Sequence, residues 1–317
     1  MDIALIIVAA LALGGLIFML IYTYPISVRV YREQLVRTEA DKWGRVCSAP
    51  ENEEQMAMWE AGNAWADQYR DHIREVQIEH DGLELYGEYF DFGGHRCVLI
   101  LPGRCECLRY SYYFAEPYRA AGLNVLVVDT RCHGRSGGVY NTIGVKEAGD
   151  VLAWSRFIVD ELGCDEVWYH GICIGMAAGI FAIVDKDCPA EVRGFINDGC
   201  FVTFRETFKR HMIQDHRPRF PVLDLVMLHI WRHTGTNVYR QSPLSVIDKI
   251  PSDKRVLFLY GELDAYSIPR LTRRLFAACS AEDKRLVWFP RGCHSHLRLN
   301  NTPEYDGAII DFFKENV

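Results

Sequence analysis

Between Glu166 and Phe181 the chain reads EVWYHGICIGMAAGIF. A buried apolar strand over Glu166 to His170, a tight turn Gly171-Ile172-Cys173-Ile174-Gly175 and a helix of small and apolar residues make the context of a nucleophile elbow. Cys173 is the nucleophile in this reading. A residue at the tip of such a turn has strained backbone geometry, so strand and helix must pass closely, and Gly171, Gly175, Ala178 and Gly179 are small enough to allow it. The amino terminus of the helix is directed at the sulfur, which favours a thiolate, and the N–H of Ile174 lies where one oxyanion donor belongs. GxCxG alone equally describes a structural turn with a core thiol, so the weight falls on residues elsewhere.

Three further groups follow predicted strands, where open α/β sheets place their chemistry. Leu101-Pro102-Gly103-Arg104 ends the run RCVLIL, and the backbone N–H of Arg104 is the candidate second oxyanion donor. Asp264 follows VLFLY in GELDAYSIP, and His294 follows RLVWF in PRGCHSHL, with His296 as the competing base. The order Cys173, Asp264, His294 is nucleophile, acid, base. The base takes the thiol proton and returns it to the leaving group, the carboxylate holds the imidazole tautomer, and the thiolate attacks a carbonyl.

Positioning these groups requires a sheet. VQIEH, Asp81-Gly82 and LELYGEYFDF read as a hairpin with a primed turn, and RCVLIL as the next strand. Alternation follows, with strands at Asn124 to Val128, Glu166 to His170, Val192 to Asn197, Arg255 to Tyr260 and Arg285 to Phe289. Helices are expected near Tyr110 to Ala121, Val145 to Leu162, Ile174 to Asp185, Ile268 to Ala278 and Glu304 to Glu315. This predicts an α/β fold, a mainly parallel sheet with helices on both faces. Residues from Gly199 to about Val246 break the alternation and read as a small helical cap.

Ahead of the sheet, residues 3–22 carry no charge, and a helix of that length spans roughly 30 Å, a bilayer core. A transmembrane anchor over 1–25 is expected. The competing signal peptide lacks a basic n-region and a small-residue cleavage site. Arg29, Arg32 and Arg37 on one side against Asp2 on the other place the main domain in the cytoplasm by the positive-inside rule. Residues 26–74 read as a helical membrane-proximal segment, with Trp59, Gly62, Ala66, Tyr69 and Ile73 as the stripe of a surface helix, and 75–317 as the main domain.

A net charge of -7 excludes the basic balance of a nucleic-acid binder, and eleven scattered cysteines suggest a reducing compartment. No P-loop or GxGxxG exists, and Cys293, His294 and His296 have no second ligand pair, so neither nucleotide nor metal is implied. Lys209, Arg210, His211, His216, Arg217 and Arg219 suit an anionic head group, a solvated face or an acidic lipid surface. Tyr110, Tyr112, Tyr113 and Phe114 suit an acyl pocket or plain helix packing.

With HDGLELYG, ILPG, VLVVDTRCHGRSGG, GVKEAGD, HGICIGMAAG, INDG, SPLSVIDKI, LFLYGELDAYSIP and GCHSHL, the stretch from about Glu75 to Val317 resembles the α/β-hydrolases, in particular the membrane-anchored, serine-aminopeptidase-like branch. The resemblance implies that fold, favours His294 over His296, and makes Asp129, Arg131, His133, Gly134, Ser136, Glu147 and Asp150 architectural. Two positions depart from the branch. Cys173 stands where Ser is usual, as in dienelactone hydrolases, and Pro102 stands where His usually precedes the oxyanion glycine. The expected activity is hydrolysis of an ester, thioester, lactone or amide through an acyl-cysteine, with no cofactor. Acyl transfer to an amine, alcohol or thiol and a catalytically silent membrane-bound interaction module are the alternatives. The expected partners are a small-molecule acyl substrate and the membrane.

Overall fold

The computed structural model describes residues 3–314; the expected outer Asp2 and the predicted helix end at Glu315 lie outside them. Eight strands form one sheet: β1 (Ile73–His80), β2 (Leu83–Phe90), β3 (Arg96–Leu101), β4 (Asn124–Val128), β5 (Glu166–Ile172), β6 (Val192–Asp198), β7 (Arg255–Gly261) and β8 (Asp283–Phe289). Their order is β1-β2-β4-β3-β5-β6-β7-β8. The pairs β1/β2 and β2/β4 are antiparallel and the rest parallel. Asp81 and Gly82 close the first hairpin with φ of 53° and 68°, as a primed turn requires.

The central strands are apolar at both parities because both faces are covered. In β3, Cys97, Leu99 and Leu101 enter one core and Val98 and Ile100 the other. The first core is closed by α3 (Glu147–Asp160), α4 (Ile174–Ile183) and α7 (Pro269–Ala278), the second by α8 (Thr302–Lys314) and α2 (Glu53–Gln68). Between β6 and β7 the cap consists of α5 (Phe204–Gln214) and α6 (Val222–Thr234), followed by two 3-10 turns.

Three expectations need correction. First, no helix boundary separates the apolar stretch from the segment after residue 25: α1 is one helix, Ile3–Leu35, running through Pro25. Proline removes one N–H from the helix ladder, and packing holds the helix together. Ser27 Oγ lies 3.0 Å from His229 Nε2, the Tyr31 ring stacks on those of His229 and His233, and Val30 and Leu35 enter the first core. Second, residues 26–74 are not continuously helical. After Leu35 the chain leaves the helix, and α2 starts only where the Asn52 side chain caps it by accepting from Gln55 N at 3.1 Å. The buried face of α2 is Gln55, Met58, Gly62 and Ala66, so the helix is sunk into the domain. Third, the helix expected over Tyr110 to Ala121 is three short turns, Leu108–Ser111, Tyr112–Phe114 and Glu116–Ala120, because Pro117 cannot continue a helix and instead starts one.

Candidate active site

Cys173 joins the end of β5 to the start of α4 with φ 52° and ψ −109°, a backbone conformation that a side chain adopts only when its surroundings impose it. The surroundings do so from both sides. The Cys173 N–H donates to Asp198 O at the end of β6, at 3.0 Å. A Cβ on Gly175 would lie 2.2 Å from Leu101 O, and one on Gly171 2.4 Å from Met176 Cα. The two flanking glycines therefore let α4 cross the ends of β3 and β5 at backbone contact. As the first residue of α4, Ile174 has no carbonyl of its own helix to receive its N–H. Arg104, in the loop after β3, likewise has a backbone N–H that meets no acceptor among the described residues.

The loops after β7 and β8 bring the other two groups together. Asp264 Oδ2 lies 2.8 Å from His294 Nδ1, while Oδ1 accepts the N–H groups of Tyr266 at 2.8 Å and Ser267 at 2.7 Å. Burial works against charge on Asp264, yet His294 and those two N–H donors outweigh it and hold the carboxyl below its ordinary range. His294 shows the mirror effect. Burial disfavours the imidazolium, but the charge of Asp264, then that of Cys173, and the hydrogen bond to Asp264 raise its affinity for a proton well above the ordinary value. His294 and Asp264 thus form a bonded pair on which the Cys173 charge acts.

His296 faces elsewhere. Its Nδ1 lies 2.8 Å from Glu54 Oε2 and its Nε2 2.8 Å from Gln55 Oε1, so it ties α2 to the domain. The aromatic run is also structural: the Tyr110 hydroxyl donates to Gln55, that of Tyr112 to Glu88, and all four rings are buried in the second core. Among the remaining motif residues, Asp129 receives Leu108 N and Arg135 N, Arg131 grips Asp150 through two 2.7 Å bonds, and Glu147 receives the N–H groups of Thr142 and Gly144.

Several groups at the site escaped the sequence reading. The Tyr266 ring meets that of His294 edge-on at 5.3 Å, and His211 of α5 stacks on Tyr266 at 3.9 Å. His211 therefore belongs over the site and not with the basic run of the cap. Burial, then the nearby charges of Arg104 and His294, push its pKa down to about 3. Two buried carboxyls lie near His294. Asp198 Oδ2 accepts from Tyr305 at 2.6 Å and its Oδ1 has no partner among the described residues; burial raises it to about 7. Glu106, accepting Gly103 N at 2.9 Å, is also raised by burial to about 7. Glu106 lies three residues beyond Gly103 in a loop rich in cysteine, and nothing in its spacing marked it.

No protein-family model matches the chain. In sequence it is similar to the uncharacterized protein YqkD of Bacillus subtilis, 29% identical over 209 residues. That match covers 65% of this chain, and the chain spans 65% of the length of that relative. In structure it is similar to the Pyrococcus furiosus esterase Pf2001, with TM-score 0.65, 20% identity and coverage of 79% of this chain and 93% of that one. An alpha-beta hydrolase from Vibrio vulnificus matches with TM-score 0.63, 17% identity and coverage of 91% and 94%. A dienelactone hydrolase from Anabaena variabilis matches with TM-score 0.54, 16% identity and coverage of 77% and 98%. Likeness at this identity speaks to the fold.

Proposed function

From the α/β-hydrolase fold that this chain adopts, we propose a membrane-anchored hydrolase that cleaves an ester, thioester, lactone or amide through an acyl-cysteine. The observation that carries the reading is Cys173 held at φ 52° between β5 and α4, beside the hydrogen-bonded pair His294 and Asp264. The Cys173 sulfur attacks the carbonyl carbon while His294 holds the thiol proton. The tetrahedral oxyanion is received by the N–H groups of Ile174 and Arg104. Collapse expels the leaving group, which takes the proton from His294, and leaves a thioester. Water then gives its proton to His294, adds to the thioester, and frees the acid and the thiol. No step requires a cofactor.

Anchoring is supported by α1, the one helix among the described residues that is long and apolar enough to cross a membrane. The arginines after the apolar stretch favour a cytoplasmic domain.

The test is intact mass spectrometry of the full chain in detergent after exposure to short p-nitrophenyl esters, with Cys173→Ala alongside and peptide mapping of any adduct. The expected result is an acyl adduct on Cys173 and nitrophenol release in the wild type, both lost in Cys173→Ala, with a rate loss of roughly 10³-fold or more. Release unchanged in the variant would remove Cys173 from the mechanism. Amide or thioester product that grows with added amine or thiol would convert the hydrolase into an acyltransferase. Neither adduct nor release across a panel of esters, thioesters and lactones would favour the silent interaction module.

A further inference from the structure

The second cap helix exposes large apolar side chains beside its polar residues Asp224, Arg232 and His233. Leu223, Met227 and Ile230 of α6 are buried, yet Leu228 and Trp231 remain 47% and 55% exposed, and Phe220 just before the helix is 74% exposed. Between this face and Asn237–Tyr239 lies a cleft of about 410 Å³ lined by Leu225, Leu228, Trp231, Val238 and Tyr239. Exposed contiguous apolar surface of this kind marks a contact site.

The position of α6 along α1 identifies what it contacts. His229 meets Ser27 and His233 meets Tyr31, so the two helices run in the same direction. Val222 begins α6 seven residues before His229, which at 1.5 Å per residue is about 10 Å, level with roughly residue 20 of α1. The cover on α1 agrees: Thr23 is 6% exposed and Ser27 fully buried, while Ile21 and Tyr22 on the other side of α1 are 68% and 67% exposed. The first charged residue of α1 after Ile3 is Arg29. The first turns of α6 and Phe220 therefore lie abreast of the uncharged part of α1. Arg210 and Arg219 in the same cap are exposed and pair with no carboxylate among the described residues, which suits anionic lipid. Trp231 and Tyr239 suit the headgroup level.

We infer that the cap is seated in the bilayer: α6, with Phe220, Leu228, Trp231 and Tyr239, enters the headgroup and upper acyl region of the leaflet that α1 crosses on its way to the domain. The inference rests on the proposed membrane span of α1. Because α5 of the same cap sets His211 over Tyr266 and His294, the lid of the candidate site and its lipid contact are one module.

The experiment reconstitutes the full chain in vesicles of phosphatidylcholine and phosphatidylserine doped with a diazirine-bearing phosphatidylcholine, followed by photolysis, proteolysis and peptide mass mapping. Adducts are expected on 3–22 and also on 220–231 and Tyr239. Phe220→Asp combined with Trp231→Asp is expected to lower the cap adducts fivefold or more and leave those on α1 unchanged. Adducts on α1 alone would overturn the seated cap, keep the span, and leave the cleft to a protein partner or a second copy of the chain. Adducts on neither would overturn both.

Discussion

Arg104 Nη1 donates to Gln34 Oε1 at 2.7 Å, so the loop that carries a candidate oxyanion donor is fastened to the last turn of the helix that begins in the apolar stretch. A second link runs through the cap, where Arg217 Nη1 lies 2.8 Å from Glu33 Oε2. The carboxyl end of α1 is therefore tied both to the loop after β3 and to the cap, and changes there should be read in the kinetics.

Arg104→Met removes the bond to Gln34 and leaves the backbone N–H in place. A donor that is less well held costs rate more than binding, so kcat is expected to fall about tenfold with KM little changed. Gln34→Ala should do much the same, and the double variant should show a coupling of about 1 kcal/mol. Additive effects would mean that the loop keeps its geometry without α1.

Truncation separates the two parts of α1. A chain beginning at Tyr24 keeps Ser27, Val30, Tyr31 and Leu35, which are all at most 3% exposed. A chain beginning at Arg37 loses four apolar side chains from the first core, Val30, Tyr31, Leu35 and Val36, the aliphatic ones each worth about 1.5–3 kcal/mol. Urea unfolding should show the first close to the full chain in stability and the second weaker by several kcal/mol. Equal stability would make the 24–36 stretch dispensable.

Asp264→Asn keeps the shape but loses the charge that opposes burial of the imidazolium at His294. The rate is expected to fall roughly 10³- to 10⁴-fold, the size seen when the orienting carboxylate of a triad is made an amide. The His294 ring, followed by NMR, should titrate at lower pH than in the wild type. An unmoved titration would show that Asp264 does not set its charge.

Asp198 makes stability depend on pH. Its carboxyl is raised by burial from the ordinary 3.8 to about 7, so the folded state binds a proton that the unfolded state releases between those values. Stabilisation from the protonated form is complete below about pH 4 and is lost as pH rises through about 7. Asp198→Asn can keep the acceptor for Tyr305 and cannot ionise. Its stability relative to wild type should therefore rise between pH 4 and 7, by an amount on the order of 2–4 kcal/mol, and level off above. Parallel stability curves for the two proteins would remove Asp198 as the source.

Local chemistry was legible because it is carried by neighbours in the chain. The glycines around Cys173 announced a close crossing before the 2.2 Å approach to Leu101 O could be seen, and the spacing of Asp264 and His294 after apolar runs placed both at strand ends. The Asp81-Gly82 turn and all eight strands are likewise local statements of periodicity and turn chemistry. His294 and His296 were two residues apart with the same side chain, and only the surroundings distinguish them: one meets Asp264, the other Glu54 and Gln55 from a helix some 240 positions earlier.

What the sequence determined by itself was the set of strands, the elbow, the order of candidate catalytic groups and an uncharged amino-terminal helix. Those follow from patterns spanning a few turns or strands, within reach of backbone sterics and side-chain periodicity. Tertiary structure decided the rest: that α1 continues through Pro25 because α6 packs along it, that His211 sits over the candidate site while its basic neighbours do not, and that Glu106 and Asp198 are sealed beside His294. Burial and charge depend on what distant segments bring near. That information lies in the packed fold, and no window of neighbouring residues contains it.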